Sequence, residues 1–148
     1  MKKVLLAGVT GYLGGYIAKD LQKKNFIIRA VARNTTPLKD KNIALNEIFE
    51  AELTKLDTIR GCCRQIDVVI STVGITRQKD YVTYMDVDYQ GNMNLLEQAC
   101  QSGVQKFLYV SVVNGHLMQN LKMIQAKELF VKRLEESHIE YTVIRPTG

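Results

Sequence analysis

Gly8, Gly11 and Gly14 close the apolar run Lys3–Ala7 in the spacing Gly-x-x-Gly-x-x-Gly, and a helix-like pattern follows them. Each glycine has its own physical use. Gly8 lets a strand turn sharply, Gly11 lets a phosphate approach the backbone with no Cβ in the way, and Gly14 lets the next helix lie against the strand. A turn running through Thr10, Tyr12 and Leu13 then offers backbone N–H groups to an anion at the positive end of a helix dipole. This chemistry is pyrophosphate binding, and it points to a dinucleotide ligand.

Arg33 closes the second apolar run. Dinucleotide folds that prefer NAD place an acidic side chain there for the ribose 2′-hydroxyl. A guanidinium is matched instead to a 2′-phosphate, which it grips through two hydrogen bonds. The plainer reading of Arg33 is a solvated charge just past a strand. Thr10 adds a hydroxyl within the turn and Lys39 a more distant cation, so NADP(H) is expected ahead of NAD(H).

Other reactive residue types lack partners at a recognisable spacing. His116 and His138 have no Ser, Cys or Asp placed to form a nucleophilic site, and surface or capping roles are expected of them. Cys62, Cys63 and Cys100 are an odd number without metal-ligand spacing; the adjacent pair reads as two small apolar residues on a helix rather than a redox couple. Tyr81, Tyr84 and Tyr89 could flank a substrate or pack core, and Asn114 could face a site. No metal site is visible.

The elements that must position these groups follow from periodicity. Strands are expected at Lys3–Ala7, Phe26–Ala32, Glu47–Ala51, Asp67–Thr72, Lys106–Ser111 and Tyr141–Arg145. A helix over Leu13–Lys24 carries Leu13, Ile17 and Leu21 on one face. Thr54 and Asp57 have the spacing of a capping box opening a second helix, with Leu56, Ile59 and Cys63 inward. Residues 73–83 form a loop. Tyr84–Ser102 is a helix with Tyr89, Met93, Leu96 and Cys100 inward and Gly103 as its stop, and Leu117–Ser137 is a long one. Strands and helices alternate, and the strands are apolar on both faces, so the expected fold class is α/β: a doubly wound parallel sheet of six strands, a Rossmann fold. Ligands bind such sheets at the carboxyl edge of the strands.

The chain has 148 residues, 46% of them hydrophobic and 24% charged. That is one domain's worth of chain, able to bury roughly 70% of its unfolded surface. The charge of +5 comes from lysines and arginines scattered along the chain rather than gathered into a run. This argues against nucleic acid as the ligand and suits a polyanionic cofactor. The apolar stretch after Met1 is too short for a signal peptide and no run reaches membrane-spanning length. A soluble protein of a reducing, cytoplasmic compartment is expected.

Further motifs continue the glycine turn: Val31-Ala-Arg33-Asn, Ala51-Glu-Leu-Thr54, Asp67-Val-Val-Ile-Ser-Thr-Val-Gly74, Val87-Asp-Tyr-Gln-Gly91-Asn, Lys106-Phe-Leu-Tyr-Val-Ser111-Val, Ala126-Lys-Glu128 and Tyr141-Thr-Val-Ile-Arg-Pro-Thr-Gly148. Together they resemble the atypical short-chain dehydrogenases/reductases, in the NAD(P)-binding NmrA-like branch that includes isoflavone-reductase-like enzymes. The likeness runs over essentially the whole chain.

The resemblance implies roles for particular residues. Glu52, followed by Leu53, occupies the place of an acidic residue near the adenine amine, where relatives more often carry Asp. Thr72, Val73 and Gly74 should border the ribose and nicotinamide. Lys127 aligns with the lysine that holds the ribose hydroxyls and lies one helical turn beyond a proton-donating tyrosine; here that tyrosine position is Met123. Isoflavone-reductase-like enzymes work without it, which leaves Lys127 as general acid/base and Ser111 to hold the substrate oxygen.

The expected function is an NADPH-dependent oxidoreductase acting on a small organic substrate. The alternative is a non-catalytic NADP(H)-sensing regulator or assembly protein that meets a protein partner. Sugar-nucleotide epimerase or dehydratase chemistry is a third. In this family the closing motif leads into a C-terminal substrate lobe, absent from this chain, so a truncation is expected.

Overall fold

The apolar runs become six parallel strands in the computed structural model, which describes residues 1–79 and 81–147. Asp80, inside the expected loop at 73–83, and Gly148, the last residue of the closing motif, lie outside the described residues. The strands are β1 (Lys3–Ala7), β2 (Ile27–Ala32), β3 (Glu47–Glu50), β4 (Val68–Ser71), β5 (Lys106–Val110) and β6 (Glu140–Ile144). Their spatial order is β3-β2-β1-β4-β5-β6, which reverses direction of growth beside β1 and opens a crevice between the ends of β1 and β4. The doubly wound parallel sheet expected from the sequence is what the chain forms.

Side-chain alternation along each strand feeds two cores. Leu5, Val69, Phe107 and Tyr109 pack on one face with Leu95, Phe130 and Leu134; Leu6, Ile28 and Ala30 pack on the other with Ala18 and Leu38. The helices that cover them are α1 (Tyr12–Lys23), α2 (Thr36–Asp40), α3 (Leu56–Ile59), α4 (Asn92–Gln101) and α5 (Lys122–Glu136). Among the described residues no helix is long and apolar enough to cross a membrane.

Four local expectations are corrected. Leu13 is exposed rather than inward, because Gly14, Gly15 and Ala18 form the side of α1 that meets the sheet. The capping box at Thr54 is not made: the Thr54 hydroxyl donates to Glu52 at 2.9 Å, and α3 is a single turn whose N-cap, Lys55, makes no side-chain cap bond. The helix expected over Tyr84–Ser102 begins as a π-helical segment, Met85–Gly91, before α4. Leu96 is buried and Tyr89 and Met93 pack against the core as expected, but Asp88, Asn92, Leu95 and Ala99 are buried beside them and Cys100 is exposed. The long helix expected from Leu117 starts only at Lys122, after a 3₁₀ turn at Gly115–Leu117.

Candidate dinucleotide site

The turn after β1 has the geometry its glycines call for. Gly8 holds φ +90°, and a Cβ there would overlap the Thr72 side chain at the end of β4. A Cβ on Gly14 would overlap the Gly8 carbonyl, so the first turn of α1 packs directly on the strand exit. The Gly11 N–H donates to the Gly8 carbonyl at 3.0 Å and closes the turn.

Gly11 is the N-cap of α1 and offers no side-chain cap, and no acidic residue stands in the first turn. The N–H groups of Tyr12, Leu13 and Gly14 therefore have no protein partner among the described residues, which is the state of a helix end open to an anion. Lys41 reaches back from beyond α2 and donates to the carbonyls of Thr10 and Gly11 at 2.6 and 2.9 Å. It braces the turn and brings a positive charge to it.

A cleft of about 560 Å³ opens at this carboxyl edge. Gly8, Thr10 and Gly11 form one wall, Ala32 and Arg33 the next, Glu52 and Leu53 a third, and Thr72, Val73 and Gly74 the fourth. Arg77 and Lys79 stand on its rim. Its acidic side chain, Glu52, is bound by Lys55 at 2.9 Å and by Thr54, which together hold its carboxyl below the usual carboxylate range. Among the described residues the cleft thus faces a ligand with three cations against one neutralised carboxylate. A glycine cradle, unpartnered N–H groups and cationic walls fit a dinucleotide, whose pyrophosphate is anionic.

Behind the Gly74 wall lies a second group of polar residues. Asp88, fully buried on the π-helical segment, stands 2.7 Å from Lys127 Nζ on α5. The ammonium and the carboxylate form a close ion pair, and no other acceptor engages Lys127 Nζ among the described residues. Ser111, just past β5 and 4% exposed, donates its hydroxyl to Glu128 Oε1 at 3.3 Å. Arg145 grips the same carboxylate with bonds of 2.6 and 3.2 Å.

Tyr109 stacks edge-on against Phe130, and its buried hydroxyl has no partner among the described residues. Burial first, and the Asp88 and Glu128 carboxylates second, push its ionisation well above the usual tyrosine range. Met123 is half-buried on α5, one turn before Lys127.

The structure thus brings Gly8, Thr10, Gly11, Arg33, Glu52, Leu53, Thr72, Val73 and Gly74 to one cleft and puts Tyr12, Leu13 and Gly14 at the helix end beside it. Lys127 and Ser111 lie outside the lining, and Lys127 is next to it beneath Gly74. Lys39 is exposed on α2. Of the tyrosines, Tyr81 is fully exposed, Tyr84 donates to the Thr76 carbonyl, and Tyr89 packs against the core. His116 is exposed on the 3₁₀ turn, and Asn114 just before it adopts φ +53°. Among the described residues no group of His, Cys, Asp and Glu is arranged to hold a metal.

Sequence reasoning missed Lys41, Arg77, Lys79, Asp88, Asn92 and Glu128. For Asp88 and Asn92 a signal existed: two polar residues four apart in a stretch otherwise apolar on that side. Asn92 accepts from the Ser71 hydroxyl at 2.6 Å and donates to the Val73 carbonyl, fixing the exit of β4.

Fold and cleft define a Rossmann nucleotide-binding domain of the atypical short-chain dehydrogenase/reductase type. The family model for NAD(P)H-binding proteins matches residues 8–148, and the chain belongs to that family. Among curated proteins it is similar to the photosystem II assembly factor Ycf39 of Trieres chinensis, with 29% identity over 98% of this chain and 45% of that one. It is similar as well to the chloroplastic divinyl chlorophyllide a 8-vinyl-reductase of Arabidopsis thaliana, with 27% identity over 98% of this chain and 38% of that one. Thermus thermophilus UDP-glucose 4-epimerase in complex with NAD shares the fold, with a TM-score of 0.81 at 19% identity over 97% of this chain and 54% of that one. The chain spans about half the length of the curated relatives it matches.

Proposed function

We propose that this chain is the NADP(H)-binding domain of an oxidoreductase acting on a small organic substrate. Arg33 carries the choice of cofactor. It stands one residue past β2, exposed at the cleft wall, where an NAD-preferring site would place a carboxylate. The glycine turn and the end of α1 hold the pyrophosphate, and Glu52 and Leu53 border the adenine. Thr72, Val73 and Gly74 line the nicotinamide side.

Lys127 lies beneath Gly74 paired with Asp88, and an ammonium has three donors, so N–H groups remain for the ribose hydroxyls. The bound nicotinamide supplies the hydride. Ser111 would orient the substrate once released from Glu128.

The test is affinity. NADPH is expected to bind the protein about tenfold or more tightly than NADH, and Arg33→Glu to reverse the order. Equal affinities in the unaltered protein would end the NADP(H) assignment. The chain has no tryptophan, so enhancement of NADPH fluorescence is read without indole background.

A second reading, in which the domain holds NADP(H) without turnover and presents its fold to a protein partner, has two observations in its favour. Met123 has no proton to give, and Ser111 is buried against Glu128. The likeness to an assembly factor supports it, as the likeness to a reductase supports the first. Stoichiometric NADPH binding with no NADPH consumption across a panel of carbonyl and enone substrates would favour the second.

A further inference from the structure

The helices on the two faces of the sheet differ in charge. On one face α4 and α5 carry as many carboxylates as cations, and pairs such as Arg133–Glu136 join them at the surface. On the other face α1, α2 and the residues that end them carry Lys19, Lys23, Lys24, Lys39 and Lys41 against Asp20 and Asp40. Lys24 is paired with Asp20 at 3.8 Å, and Lys41 is held by the Thr10 and Gly11 carbonyls. Lys19 and Lys23 have no carboxylate within ion-pair reach among the described residues.

The outer side of α1 is aromatic as well as cationic. Tyr12, Tyr16, Lys19 and Lys23 stand four, three and four residues apart, spacings that set them in one line along a helix. Tyr12 and Tyr16 are 81% and 60% exposed, with ring centroids 5.0 Å apart in an edge-on stack. Gly14, Gly15 and Ala18 form the opposite side that meets the sheet, so this line faces away from the core. Contact with a partner would remove two rings from water.

The chemistry of the line selects the partner. A tyrosine has an apolar ring and a polar tip, which suits the boundary between lipid headgroups and acyl chains. Lysines on long stems reach lipid phosphates from the same plane. The outer side of a packed helix is convex, so it meets a surface and does not enclose a peptide. Its uncompensated charge calls for an anionic surface.

We propose that the α1 face docks this protein on an anionic lipid surface, with Tyr12 and Tyr16 at headgroup depth and Lys19 and Lys23 on the lipid phosphates. The contact is peripheral and leaves the α4–α5 face in water. It does not depend on the choice of cofactor.

The experiment is co-sedimentation of the protein with vesicles of phosphatidylcholine, alone or mixed with phosphatidylglycerol. Binding is expected only to the anionic vesicles, and rising salt should weaken it. Lys19→Glu/Lys23→Glu should lower the partition coefficient about twentyfold or more, since each lysine near such a surface contributes about fivefold. Lys122→Glu/Lys132→Glu makes the same charge change at exposed sites on α5, and should lower it by about twofold at most because screening separates the two faces. Tyr16→Ser should lower it severalfold. Thermal denaturation, expected to be unchanged in all three variants, shows that they fold.

No binding to the anionic vesicles would overturn the proposal. Equal losses in the two double variants would overturn it too, because they would mark a response to net charge alone. Tyr16→Ser binding as the unaltered protein does would remove the headgroup contact and the proposal with it. Duplex DNA or polyglutamate bound more tightly than the vesicles, and lost in Lys19→Glu/Lys23→Glu, would assign the face to a nucleic acid or an acidic protein instead.

Discussion

The two halves of the sheet treat their polar groups in opposite ways. Around β1 and α1 the backbone is shaped and left open: the N–H groups at the end of α1 have no protein partner, and Arg33 is exposed. Around β5 and α5 the reactive side chains are turned inward and engaged with one another. Lys127 faces Asp88, while Ser111 and Arg145 share Glu128. A site that must grip a polyanion works with preformed donors, which cost little to present to water. Carboxylates and ammonium groups removed from water must be paired, and pairing fixes them. Holding the nucleotide therefore rests on backbone geometry, and whatever follows rests on a buried ionic network.

That contrast can be broken from either side. The largest effect is expected from Asp88→Ala, which leaves the ammonium of Lys127 buried without its counter-charge and should cost about 3–5 kcal/mol of stability by urea denaturation. Adding Lys127→Met should recover much of it. A stable Asp88→Ala would show that the inner half is not held by its charges.

Gly14→Ala attacks the open half. Its Cβ meets the Gly8 backbone rather than a flexible side chain. A loss of about 3 kcal/mol is expected, together with loss of NADPH binding in a fluorescence titration. Normal binding by this variant would mean the cradle adapts, and the distinction between a rigid holding half and a networked half would weaken.

Arg145→Gln should release Glu128 and through it Ser111. With Arg145 partly exposed, the expected cost is only about 1 kcal/mol in thermal denaturation. An increase in NADPH consumption by this variant would support the oxidoreductase reading, because freeing Ser111 is what that reading requires.

The smallest effect is one of pH. Glu47 bonds Lys3 and Arg29, which hold its carboxyl below its ordinary value. Its contribution is therefore present above the ordinary carboxylate range and fades as pH falls through the lowered value. Glu47→Gln should narrow the stability difference from the unaltered protein on acidification, while NADPH affinity at neutral pH stays unchanged.

How much of this was legible in the sequence differs between the same two regions. The parallel strands, the glycine turn and the place of Arg33 were legible, because the turn and Arg33 lie within thirty-three positions of the start and the apolar runs suit strands buried on both faces. The π-helical segment was not legible, because it depends on how Met85–Gly91 packs on α5. With it went the burial of Asp88. The capping box at Thr54 failed because α3 begins at Leu56 with Lys55 as its N-cap, one residue too late for the Thr54 hydroxyl to accept from the first turn.

The sequence by itself determined a parallel α/β fold, a cradle for a pyrophosphate and the absence of tyrosine at position 123. These depend on residue type and short-range spacing, which a chain carries whatever its tertiary packing. Only the tertiary structure decided that Lys127 is paired, that Ser111 is covered and that Asp88 underlies Gly74. Each depends on side chains distant along the chain meeting in a volume without water, where every charge must find a partner.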